Sequence, residues 1–173
     1  EYNITANAVW HDGEPFTVDD VVWNLRLNSD NYEYVWAYQP YSFFMNYAEA
    51  VDEDTVRVHY YNRSTGEPTP VAYGDALYIP MVPEHMLSSM EAWEISFVWN
   101  GTFYGYDPPM VGTGPFMVTS SVYDEYIDGE VLTLVRNPDY HWAVDKGQEV
   151  QFDRLELHFF DDPTAMAFAL RSG

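Results

Sequence analysis

The stretch Val111-Gly-Thr-Gly-Pro-Phe-Met-Val118 decides how the rest of the chain is interpreted. Its two glycines and the proline after them predict a sharp turn, because glycine reaches positive φ freely and proline fixes its own φ. Beyond the turn the residues alternate as in a strand, and a polar connection over 123–129 leads to a second β-rich run, Val131-Leu-Thr-Leu-Val135. We therefore predict a turn and a hairpin, closed by Arg136-Asn-Pro-Asp-Tyr-His-Trp142.

The turn residues Gly112, Gly114 and Pro115 are interpreted first as structural. The alternative is a backbone that lies close to a ligand, since glycine permits such an approach. A phosphate loop is excluded, because Phe116 stands where Gly-Lys-Ser/Thr would have to follow.

A second turn, Trp10-His-Asp-Gly-Glu-Pro15, precedes the first predicted helix, with Asp12 and Gly13 at the bend. Thr17 stands at the N-cap position and Asp20 three residues later, where a capping box has its acid. Apolar residues follow at helical spacing for roughly three turns. The neighbouring acids are thus interpreted as cap and dipole partners, not as a catalytic pair.

Two aromatic-rich stretches, 31–47 and 93–109, lack a clear period and are predicted as loops. Part of the first must be core, yet so many amphipathic rings also suit a wall that stacks on a ligand. Both interpretations stay open at this point.

The remaining pattern predicts an α+β or α/β fold with a mixed sheet, few helices and several hairpins. The acids at 52–54 are interpreted as a solvated turn, since the spacing of a calcium loop is absent. The predicted elements are a strand over 2–10, a hairpin over 47–61, a short helix over 71–77, a strand over 78–82, a helix over 84–90 with Pro83 at its first position, a strand over 155–159 and a helix over 164–171.

The order GTGPF, hairpin, RNPDYHW resembles the family 5 solute-binding proteins of ABC importers, which bind dipeptides, oligopeptides or nickel outside the membrane. Four further stretches are similar to the family's motifs and follow in its order. They are Trp10-His-Asp-Gly-Glu-Pro-Phe-Thr-Val-Asp-Asp-Val-Val22, Val51-Asp-Glu-Asp-Thr-Val-Arg-Val58, Ile79-Pro-Met-Val-Pro-Glu-His-Met86, and Phe152-Asp-Arg-Leu-Glu-Leu157 with the helix after it. Together with the GTGPF unit they span nearly the whole chain.

The resemblance implies a longer, two-lobed protein of which this chain is an N-terminal part. Residues 1–110 would form a smaller subdomain, and 111–173 would lead back to the main lobe. The connection after the first helix would contribute aromatics to the ligand cleft, for which Trp36 and Tyr38 are the candidates. The residues before the I-V-P-x-H element would lie near the same cleft, with Tyr73 and Leu77 as candidates.

Charge limits the partners. Seven basic residues stand against 28 acidic ones, a formal net charge of −21. Nucleic acid and anionic membrane surfaces are therefore poor partners, because both require positive patches. The surface is that of a protein from a high-salt habitat, where screening removes self-repulsion, or of an ordinary acidic extracellular protein. No apolar run approaches the roughly 20 residues of a membrane span, and we expect any anchor to lie outside this sequence.

No catalytic constellation appears in the sequence. It contains no cysteine, no G-x-S-x-G and no H-E-x-x-H, and its five histidines lack metal-ligand spacing. We therefore expect neither cofactor nor metal, although His85 and His141 could meet in space.

The resemblance implies a function of binding without chemistry. The protein would take up a solute, most simply a peptide, between two lobes and deliver it to the membrane permease of an ABC importer. Oligosaccharides and metal chelates remain alternative ligands. A non-transporting receptor on the same scaffold and a fragment of a secreted hydrolase remain alternative functions.

Overall fold

The computed structural model describes residues 1–31, 44–69, 79–99, 110–118 and 131–172. Within them, two three-stranded antiparallel sheets have the strand orders β1–β3–β2 and β4–β5–β6. In chain order the elements are β1 (Tyr2–Asn3), α1 (Val18–Asp30), β2 (Met45–Ala50), β3 (Thr55–Tyr60), α2 (Glu84–Leu87), α3 (Ala92–Trp99), β4 (Phe116–Val118), β5 (Val131–Arg136), α4 (His141–Asp145), β6 (Arg154–His158) and α5 (Pro163–Ser172).

Helix α1 packs on one face of the first sheet. The apolar residues between the helix and the sheet form the hydrophobic core of this region. Thr17 is the N-cap, and its amide donates to the carboxylate of Asp20 over 2.9 Å within a capping box. Val22 and Leu25 then pack against residues of β2 and β3, among which Val56 is fully buried. The apolar period of the helix and the alternation of the hairpin therefore meet in one cluster.

The hairpin predicted over 47–61 is confirmed as β2 and β3. Its turn is closed by the Val51 amide, which donates to the carbonyl of Thr55 over 2.8 Å, and by the Asp54 amide, which donates to the side chain of Asp52 over 3.2 Å. The acidic residues thus serve the turn through an Asx-type hydrogen bond.

The strand predicted over 2–10 is wrong beyond its first residues, since β1 contains only Tyr2 and Asn3. Val9 instead pairs with Pro15 in an isolated bridge, and Gly13 between them has φ of +92°. The extended chain is interrupted earlier, at a turn over residues 6–7 where Asn7 has φ of +63°.

The segment 79–99 differs from the prediction in three ways. Residues 79–82 form no strand, and Pro83 is the N-cap of α2, not its first helical residue. The predicted aromatic loop begins instead with helix α3, in which Ile95 is buried against Leu87. Aromatic and β-branched residues have only modestly lower helix propensity, so their density is no evidence for a loop.

The hairpin predicted after the GTGP turn is confirmed by the antiparallel pairing of β4 with β5. β6 adds to the other edge of β5, and α5 follows it, as the alternation and the terminal helical pattern predict. The connection predicted over 123–129 and the helix predicted over 71–77 lie outside the described residues. No described helix is long and apolar enough to span a bilayer.

Candidate functional site

His11 joins the first turn to the GTGP turn, about one hundred residues later. Its backbone amide donates to the Gly112 carbonyl over 2.8 Å, and the Gly112 amide donates to His11 Nδ1 over 3.1 Å. Because Nδ1 accepts a hydrogen bond, the ring proton of the neutral imidazole is on Nε2. Nε2 lies 3.0 Å from the Gly114 carbonyl and donates to it. Three hydrogen bonds therefore hold the two turns together.

Asn137 holds the same turn from its other side. Its side-chain amide donates to the Gly114 carbonyl over 2.9 Å and its backbone amide donates to the Pro115 carbonyl over 2.9 Å. The Asp139 amide donates to Asn137 Oδ1 over 2.9 Å, which makes the Asn-Pro-Asp turn. Asn137 is only 4% exposed, so a buried polar side chain has all of these partners.

The positive φ predicted for the glycines at 112 and 114 is wrong, whereas Gly13 at the first bend has φ of +92°. Neither Gly112 nor Gly114 has positive φ. A Cβ at Gly112 would lie 3.4 Å from Cε1 of His11, at the near limit of ordinary contact, and one at Gly114 would meet nothing within 4 Å. The turn is thus shaped by its hydrogen bonds to His11 and Asn137, and the space beside Gly114 is open.

Asp12 connects the first turn to a third segment. Its carboxylate lies 2.7 Å from Nε2 of His85, the second residue of α2. Partial burial raises the pKa of Asp12, but the hydrogen bonds from His85 and from the Glu14 amide outweigh it, and the pKa lies below its usual value. The ring of Trp10, 1% exposed, meets the His85 ring edge-on at 6.3 Å. Adjacent side chains of one turn therefore bind two distant segments.

Asn24 makes the corresponding connection from α1. Its side chain donates to the Val82 carbonyl over 2.8 Å and accepts from the Val82 amide over 2.9 Å, as a neighbouring strand would. The residue is fully buried. The sequence carried no clear signal for it, because Asn24 lies to one side of the apolar face that Val18, Val22 and Leu25 form at helical spacing.

Glu84 adds a third carboxylate beside the first turn of α1. Burial and the nearby charges of Asp20 and Asp19 raise the pKa of Glu84. The excess of negative charge in the sequence thus has a local effect at this junction.

The four candidate ligand residues, Trp36, Tyr38, Tyr73 and Leu77, lie outside the described residues. The described residues that flank them converge at one end of the β2–β3 hairpin. The Tyr61 amide donates to the Phe44 carbonyl over 2.8 Å, and the Thr69 amide donates to the Tyr60 carbonyl over 3.3 Å.

Ile79, which follows the second candidate segment, is buried in the same cluster as Met45, the first residue of β2. The residues that flank 32–43 and 70–78 therefore lie near one another.

A cavity of about 130 Å³ lies beside Asn137, at the end of β5. Its lining includes Arg136, whose guanidinium binds the Val150 carbonyl over 3.1 Å and pairs with Asp153 over 2.9 Å. Ligand pockets are usually about 300–1,000 Å³. This cavity is too small for a peptide.

His85 and His141 make separate contacts in the described part of the chain. Within it, no group of three His, Asp or Glu side chains could hold a metal ion. His85 is bound to Asp12, and Nδ1 of His141 is buried without a partner.

Comparison with known proteins gives the family. Residues 1–173 match the model described as bacterial extracellular solute-binding proteins, family 5 Middle. The chain belongs to this family. A Brucella ovis protein, named from its sequence as a predicted ABC transporter peptide-binding protein, is 33% identical over 169 residues, which cover 97% of this chain and 28% of that protein.

Solved structures of the family share the fold. NikZ from Campylobacter jejuni, in complex with Ni(L-His), has a TM-score of 0.72 at 21% identity, over 99% of this chain and 29% of its own. The periplasmic oligopeptide-binding protein of a Thermotoga maritima ABC transporter, bound to mannohexaose, has a TM-score of 0.73 at 19% identity, over 99% and 28%. This chain thus spans less than a third of the length of each of these three proteins.

Proposed function

We propose that the complete protein is the extracytoplasmic substrate-binding component of an ABC importer and delivers peptides to a membrane permease without catalysis. The family match over all 173 residues carries this proposal. The resemblance to a predicted peptide-binding protein of Brucella ovis supports peptides as the ligand class.

The ligand would lie against the aromatic segment after α1. In this proposal Trp36 and Tyr38 stack on it, and Tyr73 and Leu77 contact it from the next segment. The convergence of the flanking residues supports this arrangement, since the two segments depart from one end of the first sheet. Peptides in such clefts are held mainly by main-chain hydrogen bonds, so aromatic walls would add affinity with little selectivity.

The subdomain boundary belongs to the same proposal. Residues 1–110 would act as the smaller unit and 111–173 would lead into the larger one, with the clamp of His11 on the GTGP turn at their junction. Open space beside Gly114 leaves room for another backbone there. We further propose that the protein is held at the outer side of the membrane by an anchor. We also propose that it is adapted to high salt, which the net charge of −21 supports.

The test is thermal unfolding of the complete protein in several salt concentrations against three ligand classes. The probes are dialanine to pentaalanine, mannohexaose and the nickel–histidine complex. A ligand that binds only the folded state raises the melting temperature. We expect a shift with peptides. A shift with another class alone would contradict the peptide proposal, and no shift at all would favour a receptor or a hydrolase.

A further inference from the structure

Arg63 lies where the two candidate ligand segments begin and end. Its Nη2 donates to the carbonyl of Ser29 over 2.8 Å and to the carbonyl of Met45 over 3.4 Å, and its guanidinium carbon is 5.4 Å from the centre of the Tyr61 ring. Ser29 and Met45 are 4% and 1% exposed, so both carbonyls belong to buried residues. One nitrogen thus connects the last turn of α1 to the first residue of β2.

The C-terminus of α1 needs such a donor. The last carbonyls of a helix have no partner within it, and the helix dipole places negative charge there. α1 has acidic residues in its first turn, Asp19 and Asp20, but no basic residue in its last turn. Arg63 supplies the missing cation from a different element, which fixes the helix end relative to the sheet.

The two bound carbonyls bracket one segment of the chain. Ser29 precedes residue 32 and Met45 follows residue 43, and the hairpin end that carries Arg63 also bonds to Thr69 through Tyr60. Beside the packing of α1 on β2, a contact to a residue outside 32–43 therefore joins the two ends of this segment.

We propose that Arg63 is a positioning residue for ligand binding, which fixes the ends of the segment that carries Trp36 and Tyr38. The inference rests on the proposed binding function, and it assigns to Arg63 a part of the affinity without contact to the ligand. Arg57 is the matched control, because it lies on the same hairpin but pairs with Glu1 and Glu49 at an exposed position.

The experiment compares Arg63→Met, Arg63→Lys and Arg57→Met in the complete protein at a temperature where circular dichroism shows each folded. Affinity is measured by titration calorimetry with pentaalanine, and with mannohexaose and the nickel–histidine complex in parallel. Hydrogen exchange is followed in peptides covering residues 26–31 and 44–48. Arg63→Met should weaken binding about tenfold, which corresponds to about 1.4 kcal/mol, and should speed exchange at both ends.

Arg63→Lys should bind within about threefold of wild type, since an ammonium has three donors and can replace one nitrogen that serves two carbonyls. Arg57→Met should change neither affinity nor exchange at these ends. Wild-type affinity in Arg63→Met, or weaker binding with unchanged exchange, would overturn the proposal.

The outcomes separate this inference from the proposed function. If the wild-type protein binds none of the three probes, the proposed function fails. Hydrogen exchange then tests the role of Arg63 by itself. Faster exchange in residues 26–31 and 44–48 of Arg63→Met, and not of Arg57→Met, would support Arg63 as the residue that fixes these two ends. Unchanged exchange would refute that role as well.

Discussion

Strands β3 and β6 have nearly the same pattern and opposite surroundings. In β3 every second residue is apolar and Val56 is fully buried, because α1 lies across that face. In β6 the corresponding residues Leu155 and Leu157 are 39% and 41% exposed, and α5 after it buries none of its residues. Alternation thus determines which face of a strand is apolar, whereas a second element determines whether that face is buried.

The exposed apolar residues are concentrated in the same part of the chain. Eight of them lie in or around β6 and α5: Phe152, Leu155, Leu157, Phe159, Phe160, Met166, Phe168 and Leu170. So many exposed apolar side chains close together in sequence are unusual, since large apolar side chains on a soluble protein are normally exposed singly. Among the described residues, the buried apolar clusters therefore lie in the first region, and Ala143 is the one buried apolar residue after position 110.

We expect the largest loss of stability from a substitution in the hydrophobic core of the first region. Leu25→Ala should lower the free energy of unfolding by about 3 kcal/mol, because Leu25 is 2% exposed and packs in the main cluster. The matched change Leu157→Ala in β6 should cost less than about 1 kcal/mol, since much of the side chain is already in solvent. Urea unfolding of both variants measures the difference, and equal losses would contradict the comparison.

Asn24→Ala should have the next largest effect, about 2 kcal/mol, because it leaves the buried amide and carbonyl of Val82 without partners. Hydrogen exchange at the Val82 amide should accelerate in parallel. Asn31→Ala is the control: its side chain bonds only to the Leu27 carbonyl in its own helix, over 3.0 Å, and we expect a loss of about 0.5 kcal/mol or less. Equal losses of unfolding free energy in both variants would show that the hydrogen bonds between Asn24 and Val82 do not contribute to stability.

His11→Ala tests the connection between the two regions. We expect a loss of about 1 kcal/mol, since both ring hydrogen bonds to the GTGP turn disappear. The Gly112 amide should exchange faster, while amides of β3 should change little. His158→Ala, on the exposed side of β6, is the control and should have no measurable effect. Unchanged exchange at Gly112 would mean that the clamp does not hold the turn.

The smallest effect concerns pH. The pKa of Asp12 is lowered in the folded protein, so the folded state binds fewer protons than the unfolded chain as acid is added. The stabilisation by Asp12 is therefore present above about pH 4 and is lost as the pH falls through the folded pKa. Asp12→Asn should cost about 0.5 kcal/mol at pH 7, because the pair with His85 is about one third exposed.

The gap in melting temperature between wild type and Asp12→Asn should narrow as the pH falls below about 4, the pKa of an unperturbed Asp, because the unfolded chain then takes up the proton first. The same scan on Asp145→Asn, a position on the exposed end of α4, provides the baseline. A gap that does not narrow at all as the pH falls below about 4 would mean that the Asn side chain disturbs the turn for a reason other than charge.

Several elements were accessible from local patterns. The N-cap at Thr17, the β2–β3 hairpin, the β4–β5 hairpin and the bend at Gly13 follow from side chains that act on their own neighbourhood. Helix α3 does not follow from such a pattern, because dense aromatic residues occur in helices as well as in loops. The strand predicted over 78–82 is wrong for residues 79–82, where the backbone of Val82 pairs with the side chain of Asn24 and not with another strand.

The sequence by itself determined the family, the two hairpins, the first helix and the acidic surface, because each depends on short-range patterns or on composition. Only the tertiary structure decided that His11, Asp12, Asn24 and Arg63 join distant segments, and that glycines at 112 and 114 need no positive φ. The physical reason is that a side chain can have many hydrogen-bond partners, and which of them it meets depends on packing between elements far apart in the chain.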